Sequence, residues 1–586
     1  MKQPAGLAAA DWAVIAALLL GVLAAGLYFS RRASRGIDDY FLGGRRIPWW
    51  VLGMSGTASN FDMTGTMVMV SFLYAIGLQG FWVAMRGGMC LPLGVLLVYM
   101  GAWLRRSRVM TTAEWMELRF GPGRAGQAAR LLSAVSNLVV TVAFLTYFVK
   151  GTGKFLSVFV PLDADTCSLL MVGLGLAYTA AAGLFGVVYT DVLQELLMLA
   201  AALWVGIAAA TSPQHAAALA AAGPGWLELA PRAAAEPMGW LHDPTMYQAF
   251  GLCIVFWMAR GLLEGAGGLT GGYMPQRYYA AADDRRAVLL TLEWTLLLLF
   301  RWGLIIGVVV LGLVAASGDG QVAALLRADP EKTLPVVIFT ALPAGVRGVV
   351  VAGLMAAALS TFDSTLNAGA SYWVRDVYQR HLRPGAGERR LVRQGRLATV
   401  LLAAAGTAAG LAAHNIDAVW SWITGPLSAG LFAPVVLRWY WWRFNGWGFA
   451  AATGAGLLVA VGIKAAGVQL PLYLGFPLAW SVSLLAGVVV TLLTPPAGRE
   501  VLARFFERIR PFGWWGPVAR RAGPGVRPER AAAALGWTAL AVCWQLAGVV
   551  LVLALVLHQW GRVAWAGAGF CGLGAALYLG RLRRRG

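Results

Sequence analysis

Apolar runs of about 18 or more residues recur from one end of this chain to the other, and each is long enough to cross the roughly 30 Å hydrocarbon core of a bilayer as a helix. A backbone in lipid must satisfy its own hydrogen bonds, which leaves helices or closed barrels, and barrels are built from short alternating strands unlike these runs. The chain is therefore read as an all-α polytopic membrane protein. Of its 586 residues, 59% are hydrophobic and only 13% charged, which is far from the makeup of a soluble domain. The first run, "DWAVIAALLLGVLAAGLYFS", follows a single Lys and lacks a small-residue cleavage site, so it reads as a retained helix rather than a signal peptide.

About fifteen spans are expected. The loops between them alternate in character: "RRASRGIDDYFLGGRR", "RRSRVMTTAEWMELRFGPGR", "QRYYAAADDRRA", "RDVYQRHLRPGAGERRLVRQGR" and the Arg-rich 499–530 stretch are basic, whereas the intervening loops are short, neutral or acidic. By the positive-inside rule this places the N-terminus outside and the C-terminus in the cytoplasm of a multi-pass protein of the cell's inner (plasma) membrane. The same rule accounts for the formal charge of +20 without nucleic acid. The outer loops 212–244 and 317–345, which hold Asp243, Asp319, Asp329 and Glu331, read as lids or as solvated connectors. The five Cys have no CxxC spacing, and the five His show no metal-ligand pattern.

Two spans are interrupted. The second reads "GMSGTASNFDMTGTMVMVSF", with Asn60 and Asp62 between Gly56 and Gly65, and the seventh contains "LLEGAGGLTGG" just after Arg260. A carboxylate facing lipid would cost several kcal/mol, so Asp62 must meet protein, water or a cation. Gly around a polar centre is how a membrane helix breaks and frees carbonyls for an ion. Each break opens a five-helix unit, spans two to six and seven to eleven, and an odd number of spans inverts one unit relative to the other. The expected organisation is 1–49, an extra helix and basic loop; 50–211, the first repeat; 245–438, the inverted repeat; and 447–586, accessory helices.

In "ALSTFDSTLNAGASYW", residues 358–373, Ala357, Ser360 and Thr361 share one helical face and Ser360, Asp363, Ser364 and Asn367 form an adjoining stripe. Such a line of hard oxygen ligands suits Na+. The plainer alternative is that the hydroxyls bond back to carbonyls one turn earlier. Arg86, Arg260 and Glu264 also lie in apolar runs; the two arginines either bind an anionic or zwitterionic solute or, for Arg260 with Glu264 at i and i+4, form a structural pair. Trp82, Trp257, Tyr74 and Trp420 either stack on a solute or fill packing.

These segments, with "DDYFLGGRRIPWW", "TTAEWMELRFG", "GLFGVVYTDVLQ", "MPQRYYAAADDRRA" and "LFAPVVLRWYWWRFNGWGFAAATGAG", occur in an order that resembles the sodium:solute symporter family, the group of sodium/glucose, sodium/proline and sodium/sialic acid transporters. The resemblance runs over roughly residues 38–460. It implies a leucine-transporter-type 5+5 inverted-repeat core with flanking helices, and Na+ as the coupling ion. It also implies a sodium site of the Ala58, Phe61 and Ala357 carbonyls with the Ser360 and Thr361 hydroxyls. The pattern of a second sodium site found in some members falls on Asp191, Ser360, Asp363 and Ser364; Asp191 alternatively reads as a solvated acid at a helix end. The glutamine of the sugar carriers would fall at Gly65, so their sugar contact is not reproduced, and Asn60 stands where the proline carriers have an acid.

The function expected is symport of a small organic solute with Na+ by alternating access. Asn60, Asp62, Gly65, Arg86, Arg260 and Glu264 are the candidate solute or gating residues. Proton coupling through Asp62 or Asp363, or a homologue turned sensor, is the alternative. An enzyme would need an acid-base set or metal motif near a membrane face, which the five His do not supply, and a channel would show flux without stoichiometric coupling.

Overall fold

The computed structural model describes residues 7–33, 37–87, 90–234, 248–269, 272–413, 416–468, 470–522 and 527–583. His242, Asp243 and His414 lie outside them. Among the described residues the architecture is helical, and the β-type pairing is an isolated bridge between Trp441 and Trp514. Among the described residues, eleven helices are long and apolar enough to cross a membrane, with Ala9–Val22 and Ala164–Ala177 as shorter apolar pieces. The expected fifteen goes beyond these eleven.

Ala9–Ala33 (α1) precedes the first interrupted span, which is two helices, Trp49–Phe61 (α2) and Met63–Ile76 (α3). They part at Asp62, whose φ of 36° is left-handed and whose carboxylate accepts the amides of Thr64 at 3.1 Å and Gly65 at 3.0 Å. The acid that breaks the span therefore caps its second half. Arg124–Leu156 (α4) follows, then Ala164–Ala210 (α5), helical across both of the spans expected at 167–187 and 190–211. It is not one straight rod. Gly175 packs on Leu359 and Phe362, and Asp191 shares Arg277 with Ser364, so both ends of 175–191 meet the same two turns of a neighbour, whereas straight helix over that stretch would run about 24 Å.

The second interruption is again two helices, Phe250–Ala266 (α6) and Tyr273–Ala280 (α7). Between them Gly268 and Leu269 have φ of 74° and 66°, and Gly272 has 76°. Asp284–Gly318 (α8) packs on α2 and α5, and Val346–Ser371 (α9) on α1, α2, α4 and α5. Within Val346–Leu382 94% of the most apolar stretch is buried, against 28% in Leu472–Leu493 and 11% in Trp560–Leu582. The oxygen-rich helix is thus the axis of the molecule, and the C-terminal helices face lipid. The loop 317–345 is ordered as helices Gly320–Ala328 and Thr333–Ala341 and is tied to the end of α4 by an ion pair between Lys154 and Glu331.

Small residues let the helices approach, as lipid-embedded packing requires. Between Ser428–Tyr440 (α10) and Gly446–Ala465 (α11), a Cβ at Gly430 would meet backbone atoms of Gly456 at 2.6 to 2.8 Å. Backbone cannot turn aside as a side chain can. Gly430→Val is therefore expected to lower stability by about 1–3 kcal/mol or more, read as a fall in the thermal unfolding midpoint of the purified protein, whereas the same change at Gly462, which faces nothing within 4 Å, leaves it unmoved.

Candidate ion and solute site

The end of α2 lies against the middle of α9, and the hydroxyls singled out in the sequence meet there. Thr361 Oγ1 donates to the Ser59 carbonyl at 2.9 Å and to the Ala357 carbonyl one turn back at 3.0 Å. Ser59 Oγ lies 3.2 Å from Ser360 Oγ and 3.0 Å from Ser364 Oγ. Ala58, Phe61, Ala357, Ser360 and Thr361 are thus brought together, all of them buried. Back-bonding and a ligand role are compatible, because a hydroxyl has one donor and two lone pairs. The Phe61 carbonyl accepts Thr66 Oγ1 at 3.0 Å, across the break, and so retains a second lone pair.

Next to this cluster, away from the cavity, the second group expected from the sequence is organised around a residue that the sequence assigned to a basic loop. Arg277 lies on α7, and its side chain is 0% exposed. Its Nη2 donates to Ser364 Oγ at 2.6 Å and Ser55 Oγ at 2.8 Å and lies 3.5 Å from Asp191 Oδ2; its Nη1 donates to the Tyr273 carbonyl at 3.0 Å. Ser55 Oγ in turn donates to Asp191 Oδ2 at 2.5 Å. Asp191 is therefore not a solvated acid at a helix end. It is fully buried, and the positive charge beside it and Ser364 is a guanidinium on the chain itself. Asp363, also fully buried, contributes its charge to the same Arg277.

Beside the break a cavity of about 250 Å3 opens, smaller than the usual pocket for a drug-sized ligand, with Ser59 and Thr361 of the cluster in its wall. Asn60, Asp62, Gly65, Arg86, Arg260 and Glu264 all line it. Asn60 Oδ1 accepts Tyr273 Oη at 2.8 Å, which joins the first break to the start of α7. Arg260 Nη1 donates to the Arg86 carbonyl at 2.9 Å, and Arg260 pairs with Glu264 at 3.4 Å, the i, i+4 arrangement. Of the aromatic candidates, Trp420 lines the cavity, its ring tilted by 34° to that of Tyr147 with centroids 4.8 Å apart. Trp82 lies in the wall of loop 212–234, donating to the Leu229 carbonyl at 2.6 Å, and Trp257 is buried against Phe250.

Among the lining residues not singled out in the sequence are Arg301 on α8, Tyr147 on α4 and Tyr273 on α7. Arg301, alone in "TLLLLFRWGLII", could have been found by the rule that located Arg86, since a lone charge in an apolar span needs a protein or water partner. The two tyrosines carry no such mark, because an aromatic in a membrane helix is ordinary.

The sequence profile described as the sodium:solute symporter family matches residues 40–456. A sodium/mannose cotransporter of Bos taurus is 29% identical, over 89% of this chain and 92% of its own length. A high-affinity proline transporter of Bacillus subtilis is 26% identical over 82% of this chain and 97% of its own. Among solved structures, a Na+-coupled sialic acid symporter in a substrate-bound outward-open state superposes with a TM-score of 0.64 at 22% identity, over 84% of this chain and 99% of that one.

Proposed function

The chain belongs to the sodium:solute symporter family, and from that premise we propose that it couples inward movement of Na+ to uptake of a small organic solute by alternating access across the plasma membrane, with its N-terminus outside and its C-terminus in the cytoplasm. The observation that carries the reading is the convergence of the α2 end and the Ser360–Thr361 face of α9 beside a helix break, where Ser59 and Thr361 also line the cavity. In this reading Na+ is held by the carbonyls of Ala58, Phe61 and Ala357 and the hydroxyls of Ser360 and Thr361. Binding there fixes α2 against α9 and favours the state whose cavity accepts the solute, so ion and solute each raise the other's affinity. At 100 mV each inward charge adds about 2.3 kcal/mol, more than a tenfold accumulation.

One ion per cycle fits the arrangement better than two. The oxygens of Asp191, Ser55 and Ser364 already surround a cation, the guanidinium of Arg277. Asp191→Asn is accordingly expected to leave the number of Na+ bound per folded chain at one; a drop from two to one, measured by radioactive Na+ binding at saturation, would reinstate a second ion site.

The proposal is tested by thermal unfolding of purified protein in NaCl against choline chloride at equal ionic strength. Na+ at about a hundred times its dissociation constant should stabilise by about 2.7 kcal/mol and raise the midpoint. Equal midpoints in both salts up to molar concentration would count against sodium coupling.

A further inference from the structure

Within the cavity two opposite charges face the same small space. A methyl group at Gly65 would stand 2.6 Å from Asp62 Oδ2 and 3.1 Å from Arg301 Nη2, so the carboxylate and the guanidinium flank the gap that Gly65 leaves. They make no direct ion pair. Asp62 takes its hydrogen bonds from the Thr64 and Gly65 amides and from Tyr147 Oη at 3.0 Å, and Arg301 donates through Nε to Thr66 Oγ1 at 3.3 Å. The Nη groups of Arg301 are thus left to face the cavity. Beside Asp62 the adjoining rings of Tyr147 and Trp420 form an aromatic wall, a surface that attracts cations. Arg260 pairs with Glu264 and donates to the Arg86 carbonyl, so its charge is offset within its own helix.

Resting on the symport reading, we infer that the solute is amphoteric: a compact molecule carrying an ammonium group and a carboxylate, its cationic end on Asp62 against the Tyr147–Trp420 wall and its anionic end on Arg301. Each charge by itself would be expensive to bury in the middle of the membrane, but a solute that carries both bridges the two and leaves neither unpaired. A neutral polyol offers no charge to either group. A simple anion satisfies Arg301 but sets its own charge against Asp62. The planar guanidinium also suits a carboxylate, which it can meet with two parallel hydrogen bonds.

The test uses the full-length protein in proteoliposomes with an imposed inward Na+ gradient and a panel of labelled solutes: the proteinogenic amino acids and glycine betaine, D-mannose and D-glucose, and the anions lactate and acetate. At least one amphoteric solute is expected to be taken up saturably, with sugars and simple anions left at background. For that solute, Asp62→Asn and Arg301→Gln should each raise the half-saturating concentration at least tenfold, while Na+ still raises the unfolding midpoint of both variants. Arg301→Gln should in addition narrow the preference for the amino acid over its amide, which lacks the carboxylate charge, and a merely structural role for Arg301 would not produce that change. Sodium-driven uptake of only sugars or only anions, or Asp62→Asn and Arg301→Gln variants with wild-type affinity for an amphoteric solute, would overturn the inference and leave sodium symport standing. Wild-type protein on which Na+ has no stabilising effect, and which shows no gradient-driven uptake of any solute in the panel, would overturn both.

Discussion

Arg277→Met is expected to destabilise the protein by about 3–5 kcal/mol, because it leaves Asp191 as an uncompensated charge among buried groups. Both side chains are 0% exposed, so water cannot take over the missing interaction. Three hydroxyls, those of Ser55, Ser59 and Ser364, lose a charged donor at the same time. The expectation differs for the double variant Arg277→Met/Asp191→Leu. Removing both members of a buried pair is often close to neutral, so the double variant should recover most of the loss. Thermal midpoints of the four proteins, recorded at one scan rate because unfolding of a large membrane protein is a kinetic event, give the coupling directly. An Arg277→Met variant as stable as wild type would mean that Asp191 is held neutral and that the guanidinium is not its counter-charge.

The other large effect concerns the ion itself. Ser360→Ala and Thr361→Ala each remove an oxygen from the proposed Na+ site while leaving the backbone of α9 with the best helix former. A hydrogen-bond-like contact to a charge contributes about 1.5–3 kcal/mol. At 1.4 kcal/mol per decade, each single change should raise the half-saturating Na+ concentration roughly 10- to 100-fold. The two together should raise it beyond any accessible concentration. The fold should tolerate both: Thr361 loses its bonds to its own helix and to the Ser59 carbonyl, to which Tyr273 Oη still donates at 3.1 Å, and Ser360 loses its contact with Ser59 Oγ, which keeps Ser364 Oγ at 3.0 Å. Unchanged sodium dependence in the single variants would remove these hydroxyls from the site.

The parts of this architecture that were legible beforehand are those written as local pattern. The break at Asp62 is visible because Gly and polar residues interrupt an apolar run, and the shared face of Ala357, Ser360 and Thr361 follows from helical spacing alone. The pairing of Arg260 with Glu264 was one of two readings open at i, i+4, and the structure has them 3.4 Å apart. What escaped the sequence depends on where distant segments meet. Arg277 sits in a stretch with Asp283, Asp284, Arg285 and Arg286 that reads as one basic loop, yet the first part of that stretch is helix α7 turned inward, and only the tertiary arrangement separates the buried arginine from the exposed ones. Asp191 was ambiguous for the same reason: its burial comes from its meeting with Ser55 on α2 and Arg277 on α7, which helical propensity does not record. The Asp62–Arg301 gap needs α3 and α8 side by side, and nothing in either segment names the other.

The most direct measurement of the central claim is equilibrium binding of radioactive Na+ to purified protein, wild type beside the Ser360→Ala/Thr361→Ala double variant. Saturable binding of one Na+ per wild-type chain, absent from an equally well-folded double variant, is the result expected of an ion held between α2 and α9. Saturable binding that survives both substitutions undiminished, or none to well-folded wild type, would contradict it.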